Sequence, residues 1–103
     1  MKMEYLNTNN LQEKTSQGLV LVDFFATWCG PCKMIGPVLE QLDNEVEGLT
    51  VYKIDVDENP EAAAKYGVQS IPNLILFKDG EAVDQIIGFT NKEGLLKKIN
   101  PYL

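Results

Sequence analysis

The sequence predicts an α/β fold whose sheet is partly parallel and carries an antiparallel edge. Three observations predict it. Residues 19–26 are apolar at every position but Asp23, the pattern of a strand covered on both faces. Residues 31–47 carry Ile35, Val38, Leu39, Leu42 and Val46 at the spacing of one helical face. Strand and helix patterns then alternate until two apolar runs close around Lys78-Asp79-Gly80, a hairpin turn.

Taken in chain order, residues 7–17 suggest a weak helix in which Leu11 is the one strong core residue. The strand at 19–26 is bounded by Gly18 before it and Gly30-Pro31 after it. Gly48 is the expected stop of the helix that follows. Residues 51–56 form a second strand with Tyr52, Ile54 and Val56 on one face. Asn59-Pro60 reads as a helix start, an N-cap with proline in the first turn, and the short helix 61–66 stops at Gly67. Residues 74–77 and 82–87 are the arms of the hairpin. Thr90-Asn91-Lys92-Glu93 has the spacing of a capping box and opens a last helix, in which Leu95, Leu96 and Ile99 are apolar. Lys97 and Lys98 suit the negative end of its dipole.

Composition narrows the chemistry. The chain has 103 residues, 9 Lys+Arg against 15 Asp+Glu, a net charge of −6, two cysteines and no histidine. One domain, residues 1–103, is expected, and its length is enough for a core without staples. At 45% hydrophobic and 23% charged, the chain lies in the globular range. Every basic residue is lysine, and an acidic chain without arginine has no basic stripe for phosphates, so nucleic acid is disfavoured. Without histidine there is no imidazole catalysis and no Cys2His2 zinc site. The N-terminal residues 1–7 lack the apolar run of a secretory signal, and no stretch approaches the ~18 apolar residues of a membrane span. Two closely spaced cysteines in such a chain suggest a reducing, cytoplasmic setting, where pairs are catalytic or metal-binding.

The pair lies in Trp28-Cys29-Gly30-Pro31-Cys32, between the buried strand and the long helix. Cysteines three apart on a first helical turn share a face, at a separation that a disulfide tolerates. Proline fits there because a first-turn N–H has no helical acceptor to lose. The positive end of the helix favours a thiolate, so Cys29 is expected to be acidified and nucleophilic. Cys32, one turn deeper, is placed to attack the mixed disulfide that Cys29 forms. Two cysteines cannot close a four-ligand zinc site in a monomer. Haem attachment wants histidine where Lys33 stands. A purely structural disulfide would close only a four-residue loop, for about 2 kcal/mol by chain entropy.

The five-residue motif resembles the active-site signature of the thioredoxin family at every position. The likeness extends over nearly the whole chain: Val22-Asp23-Phe24-Phe25-Ala26, Pro37, Lys53-Ile54-Asp55-Val56-Asp57, Ile71-Pro72, the Lys78-Asp79-Gly80 turn and Gly88. The resemblance implies a thioredoxin fold, three layers α/β/α. Its central mixed sheet has about five strands, the last pair an antiparallel hairpin, between about four helices. It implies no cofactor beyond a redox-active Cys29–Cys32 disulfide, and no metal. Disulfide-containing proteins are the implied substrates, and a separate thioredoxin reductase restores the dithiol, since the chain has no nucleotide-binding glycine motif. A monomer is expected.

Several residues break local rules. Asp23 is the only charge in its strand, six positions before Cys29. It is either a strand-end aspartate bonded to a loop or a buried carboxyl with a raised pKa that takes the proton from Cys32. The resemblance supports the second. Lys53 either points to solvent or, as the resemblance implies, lies near Asp23 and tunes it. Pro37 in a helix interior costs ~3 kcal/mol and is assigned no chemistry. Sequence alone predicts a trans Ile71–Pro72 bond, because only ~5–6% of such bonds are cis. The resemblance reverses this, with Pro72 cis and facing the cysteines, where the preceding backbone can pair with an extended substrate. The family usually has threonine where this chain has Asn73. By the same resemblance Trp28, Ile71, Ile87 and Gly88 rim the Cys29 sulfur, although Trp28 by itself could be a core aromatic. Eight acids between Glu40 and Glu61 read as a solvated face or as a steering surface for a basic partner.

The functional expectation is a protein-disulfide reductase and electron carrier. An oxidase or isomerase of the same fold and a non-catalytic binding module are the alternatives. Gly30-Pro31 between the cysteines resembles the reducing members, since the others typically place histidine there.

Overall fold

The computed structural model describes residues 3–103; Met1 and Lys2, where the N-terminal reading begins, lie outside the described residues. In chain order the elements are β1 (Glu4–Leu6), α1 (Leu11–Lys14), β2 (Leu19–Phe25) and α2 (Gly30–Glu45). Then come β3 (Leu49–Asp55), α3 (Pro60–Lys65), β4 (Asn73–Lys78), β5 (Glu81–Ile87) and α4 (Lys92–Ile99), with a terminal 3-10 turn at Asn100–Tyr102. The strands form one sheet in the order β1-β3-β2-β4-β5. β1, β3 and β2 run parallel, while β4 is antiparallel to β2 and β5 to β4.

β2 is the middle strand and every one of its residues is buried, as its nearly unbroken apolar run requires. Alternation along it feeds two cores. Leu19 and Leu21 pack with Ile35, Leu39 and Leu42 of α2 and with Leu95 and Ile99 of α4. Val20, Val22 and Phe24 pack on the other face with Leu11 of α1, Ala62 of α3, and Ile75 and Phe77 of β4. The layers are therefore α2/α4, sheet, and α1/α3. This is the mixed five-stranded sheet and four helices that the resemblance implies.

Several local expectations shift. β1 is absent from the sequence reading, and the helix sought at 7–17 shrinks to the four residues of α1, because Leu11 and Thr15 are the only side chains buried between residues 7 and 18. α2 ends at Glu45, not at Gly48; Gly48 (φ +84°) instead makes the turn into β3. The last helix is capped by Asn91, whose Oδ1 accepts from the Gly94 N–H at 2.8 Å, rather than by Thr90. Asn59 stands at the start of α3 but makes no cap bond there: its Oδ1 accepts from the Thr8 N–H (2.9 Å) and its Nδ2 donates to the Asp55 carbonyl (3.0 Å). The amide thus ties the end of β3 to the loop after β1. At the hairpin, Asp79 (φ 49°) and Gly80 (φ 90°) both take the left-handed conformation that a two-residue turn demands.

Candidate active site

The site lies where β2 and β3 end and α2 begins. Cys29 is the N-cap of α2 and Cys32 sits in its first turn. Their α-carbons are 5.3 Å apart and the two sulfurs are bonded, so this is the oxidised state. The Cys32 N–H points at Cys29 Sγ (3.2 Å), one of the first-turn donors that a helix leaves unpaired. In the reduced protein that N–H and the positive helix end both favour a Cys29 thiolate. Exposure does not separate the two sulfurs: Cys29 is 5% exposed and Cys32 3%. Position along the helix does.

Opposite the cysteines, the Ile71–Pro72 peptide is cis. Cys29 Sγ lies 3.9 Å from the Ile71 carbonyl oxygen. The Pro72 carbonyl accepts from the Gly88 N–H at 2.8 Å, which draws the end of β5 beside it. Ile87 is exposed there, as is Phe89 just beyond Gly88. Trp28 is 69% exposed, so it is not a core aromatic; its Nε1 donates to Asp57 Oδ2 at 2.7 Å. Asp57 lies in the acidic stretch that the sequence offered as a solvated face or a steering surface, not as a partner for Trp28. A tether between residues 29 positions apart leaves no local sequence signal.

On β2, Asp23 is wholly buried and, among the described residues, neither of its carboxylate oxygens has a hydrogen-bond partner. The reading in which it bonds a loop is thereby removed. Burial pushes its pKa from 3.8 up to about 7, and Lys53 pulls in the opposite direction. Lys53 is the register partner of Asp23 across β2 and β3. It is half-buried, and its ammonium rests 4.6 Å from the centre of the Phe25 ring, so it does not simply point to water. A recess of about 230 Å³ brings Lys53 to the same wall as Cys32, Lys33, Phe25, Ala26 and Thr27. A slightly larger recess, about 260 Å³ against Tyr66, Ile75 and β5, contains neither cysteine and is remote from this chemistry. Pro37 lies within α2 and touches none of these contacts.

Of the sequence-predicted residues, Ile71 lies against Cys29 Sγ, and Gly88 is bonded to Pro72 beside it. Lys53, the register partner of Asp23, lines the recess that also holds Cys32. Asn73, next to Pro72, is buried on the opposite face of the sheet with Ile75 and Phe77.

Known proteins resemble this chain in sequence and fold. The family model described as Thioredoxin matches residues 2–101. A thioredoxin of Bacillus subtilis is 58% identical over 91 residues, 87% of this chain and 88% of that one. A thioredoxin of Staphylococcus haemolyticus is 51% identical over the full length of both chains. The solved structure of a variant thioredoxin from Halobacterium salinarum superposes with a TM-score of 0.92 at 42% identity, covering 98% of this chain and 90% of that one. The chain belongs to the thioredoxin family and is a thiol-disulfide oxidoreductase, a protein-disulfide reductase that works through its own Cys29–Cys32 dithiol.

Proposed function

We propose that Cys29 is the attacking thiol, Cys32 the resolving thiol and Asp23 the group that takes the Cys32 proton. The Cys29 thiolate attacks one sulfur of a substrate disulfide. The substrate S–S bond breaks, and the departing thiolate picks up a proton. Cys32 then gives its proton to the Asp23 carboxylate and attacks Cys29 Sγ in the mixed disulfide. The second substrate thiolate leaves, and Cys29 and Cys32 remain bonded. Two electrons pass to the substrate, and a separate reductase returns them to the pair.

The observation that carries this reading is Asp23, wholly buried, unpartnered among the described residues and with its pKa pushed up to about 7 by burial, on the strand that leads into the helix Cys29 caps. A carboxyl that titrates near pH 7 is matched to moving a proton at that pH. Lys53 tunes it. Trp28, Gly30 and Pro31 shape the motif, while the Ile71 backbone, cis-Pro72, Ile87 and Gly88 receive an extended substrate segment beside Cys29. The substrates are disulfide-containing proteins, and the working compartment is the cytoplasm. The protein acts as a monomer, and residues 1–103 act as one domain. Among the described residues no helix is long and apolar enough to cross a membrane.

Insulin reduction, followed by turbidity with a reductase supplied, tests the assignment. Cys29→Ser should abolish it. Cys32→Ser should accumulate a mixed disulfide through Cys29, visible by mass spectrometry as a mass that dithiothreitol removes. Trapping through residue 32 in Cys29→Ser instead would reverse the two roles.

A further inference from the structure

Lys53 influences Asp23 without touching it. Among the described residues it is in no ion pair, and neither Asp23 oxygen has a partner. Its ammonium instead stands over two rings, Phe25 at 4.6 Å and Tyr5 at 5.6 Å. The rings meet edge to face with centroids 5.7 Å apart. Tyr5, Lys53 and Asp23 are consecutive register partners across β1, β3 and β2, so one row of the sheet sets the order ring, cation, carboxyl. On the outer side of Lys53, a second recess of about 200 Å³ is lined by Met3, Tyr5, Gly36 and Glu40. On its inner side lies the recess that reaches Cys32 and Lys33.

Among the described residues, the other groups packed against Asp23 carry no charge. β4 puts Leu74 opposite it, and α4 contributes Leu95 and Ile99 to the core on this face. Among the described residues, Lys53 from β3 is thus the charge that acts on Asp23, while Cys32 and Lys33 of α2 line one of its recesses, and Glu40 of α2 and Tyr5 of β1 line the other. A cation over aromatic faces is attracted to them, and loses that attraction if a ring is removed.

We infer that Tyr5, on the edge strand, is a positioning residue that holds the Lys53 ammonium inward over Phe25 and thereby sets the pH at which Asp23 exchanges its proton. Without the Tyr5 ring, the ammonium gains a path to water and to Glu40, its pull on Asp23 weakens, and burial prevails. The Asp23 midpoint then rises. The consequence for catalysis rests on the proton role proposed for Asp23; the positioning itself does not.

The test is to titrate the Asp23 carboxyl carbon by NMR in the reduced, full-length protein, alongside the pH profile of insulin reduction. Tyr5 is 60% exposed, so Tyr5→Ala removes little core, and Tyr5→Leu keeps bulk while removing the aromatic face. Both should raise the midpoint by about half a pH unit. Tyr5→Phe, which keeps the ring, should match the unsubstituted protein, and Lys53→Met should move the midpoint further in the same direction. An unmoved midpoint in Tyr5→Ala and Tyr5→Leu overturns the inference. So does a Tyr5→Phe shift equal to that of Tyr5→Ala, because the hydroxyl and not the ring would then be acting. A midpoint that moves while the exchange profile stays fixed upholds Tyr5 as the positioner and refutes the proton role of Asp23.

Discussion

Each face of the sheet buries one polar side chain that its surroundings do not fully satisfy. On the α2/α4 face it is Asp23, with both oxygens unpartnered among the described residues. On the α1/α3 face it is Asn73, 1% exposed, whose Oδ1 accepts from Gln85 Nε2 at 2.9 Å while its Nδ2 has no partner among the described residues. Both flank the site, one six residues before Cys29 and one directly after Pro72. Asp23 can change charge and Asn73 cannot. An ionisable group in such a place costs stability in a pH-dependent way, and the proton role proposed for Asp23 would account for its retention. The amide carries only a fixed, partly offset cost.

The largest effect that would break this contrast is on stability. The folded protein holds the Asp23 proton up to about pH 7, whereas the unfolded chain releases it near 3.8. Between those values the unfolded state binds fewer protons, so stability falls as pH rises and levels off above 7. At about 1.4 kcal/mol per pH unit, the full penalty is up to about 4 kcal/mol. Asp23→Asn should therefore match the unsubstituted protein near pH 4 and exceed it by up to that amount at pH 8, in urea unfolding. Parallel curves across this range would show that Asp23 is not buried as a titrating acid.

The same substitution should slow insulin reduction at neutral pH by roughly 10²-fold, the low end of what a positioned acid–base group contributes. A more stable and slower protein is the expected pair of outcomes. Unchanged exchange would leave Asp23 as a stability defect with no catalytic return.

How far the two residues could be read in advance differs for a physical reason. Asp23 stands out because one charge interrupts an otherwise apolar strand, and a buried charge violates a rule that any sequence displays. Nothing local marks Asn73: a polar residue after proline reads as loop, and its burial depends on pairing with Phe24 and Ile87 from distant strands. Regular elements with a full apolar stripe, such as β2 and α2, were legible almost to their ends. β1 was not, since three residues with only Leu6 buried carry no period. With it went Tyr5, whose importance comes from the row it shares with Lys53 and Asp23. The spacing to Glu93 pointed to Thr90 as the cap of the last helix, whereas Asn91, one residue on, makes the cap bond. The contact of Trp28 with Asp57 is likewise tertiary. The cysteine pair, by contrast, announces itself through spacing alone.

Asn73→Asp sharpens the comparison by giving the second face a carboxyl as well. The Gln85 bond can persist, but a charge would now be buried with Ile75 and Phe77. A loss of about 1–3 kcal/mol at pH 8 is expected. It should shrink as pH falls, because this pKa too would be raised and the protonated form carries no charge cost. A pH-independent loss would mean that the carboxylate finds water or a cation on that face.

The smallest effect is expected for Asn73→Thr, the residue that the resemblance puts after this proline. It removes an unpartnered amide N–H, which favours the variant, and breaks the bond to Gln85, which disfavours it. Gln85 is exposed and can bond water instead, so that loss stays small. A β-branched side chain also suits the buried strand position. These contributions nearly cancel, and the stability change should stay within about 1 kcal/mol at every pH. The Pro72 carbonyl remains held by the Gly88 N–H, a backbone bond that the substitution does not touch, so the insulin-reduction profile should keep its midpoint. If Asn73→Thr displaced that midpoint, the α1/α3 face would be acting on Asp23 through the sheet, and the two buried polar groups would form one device rather than two.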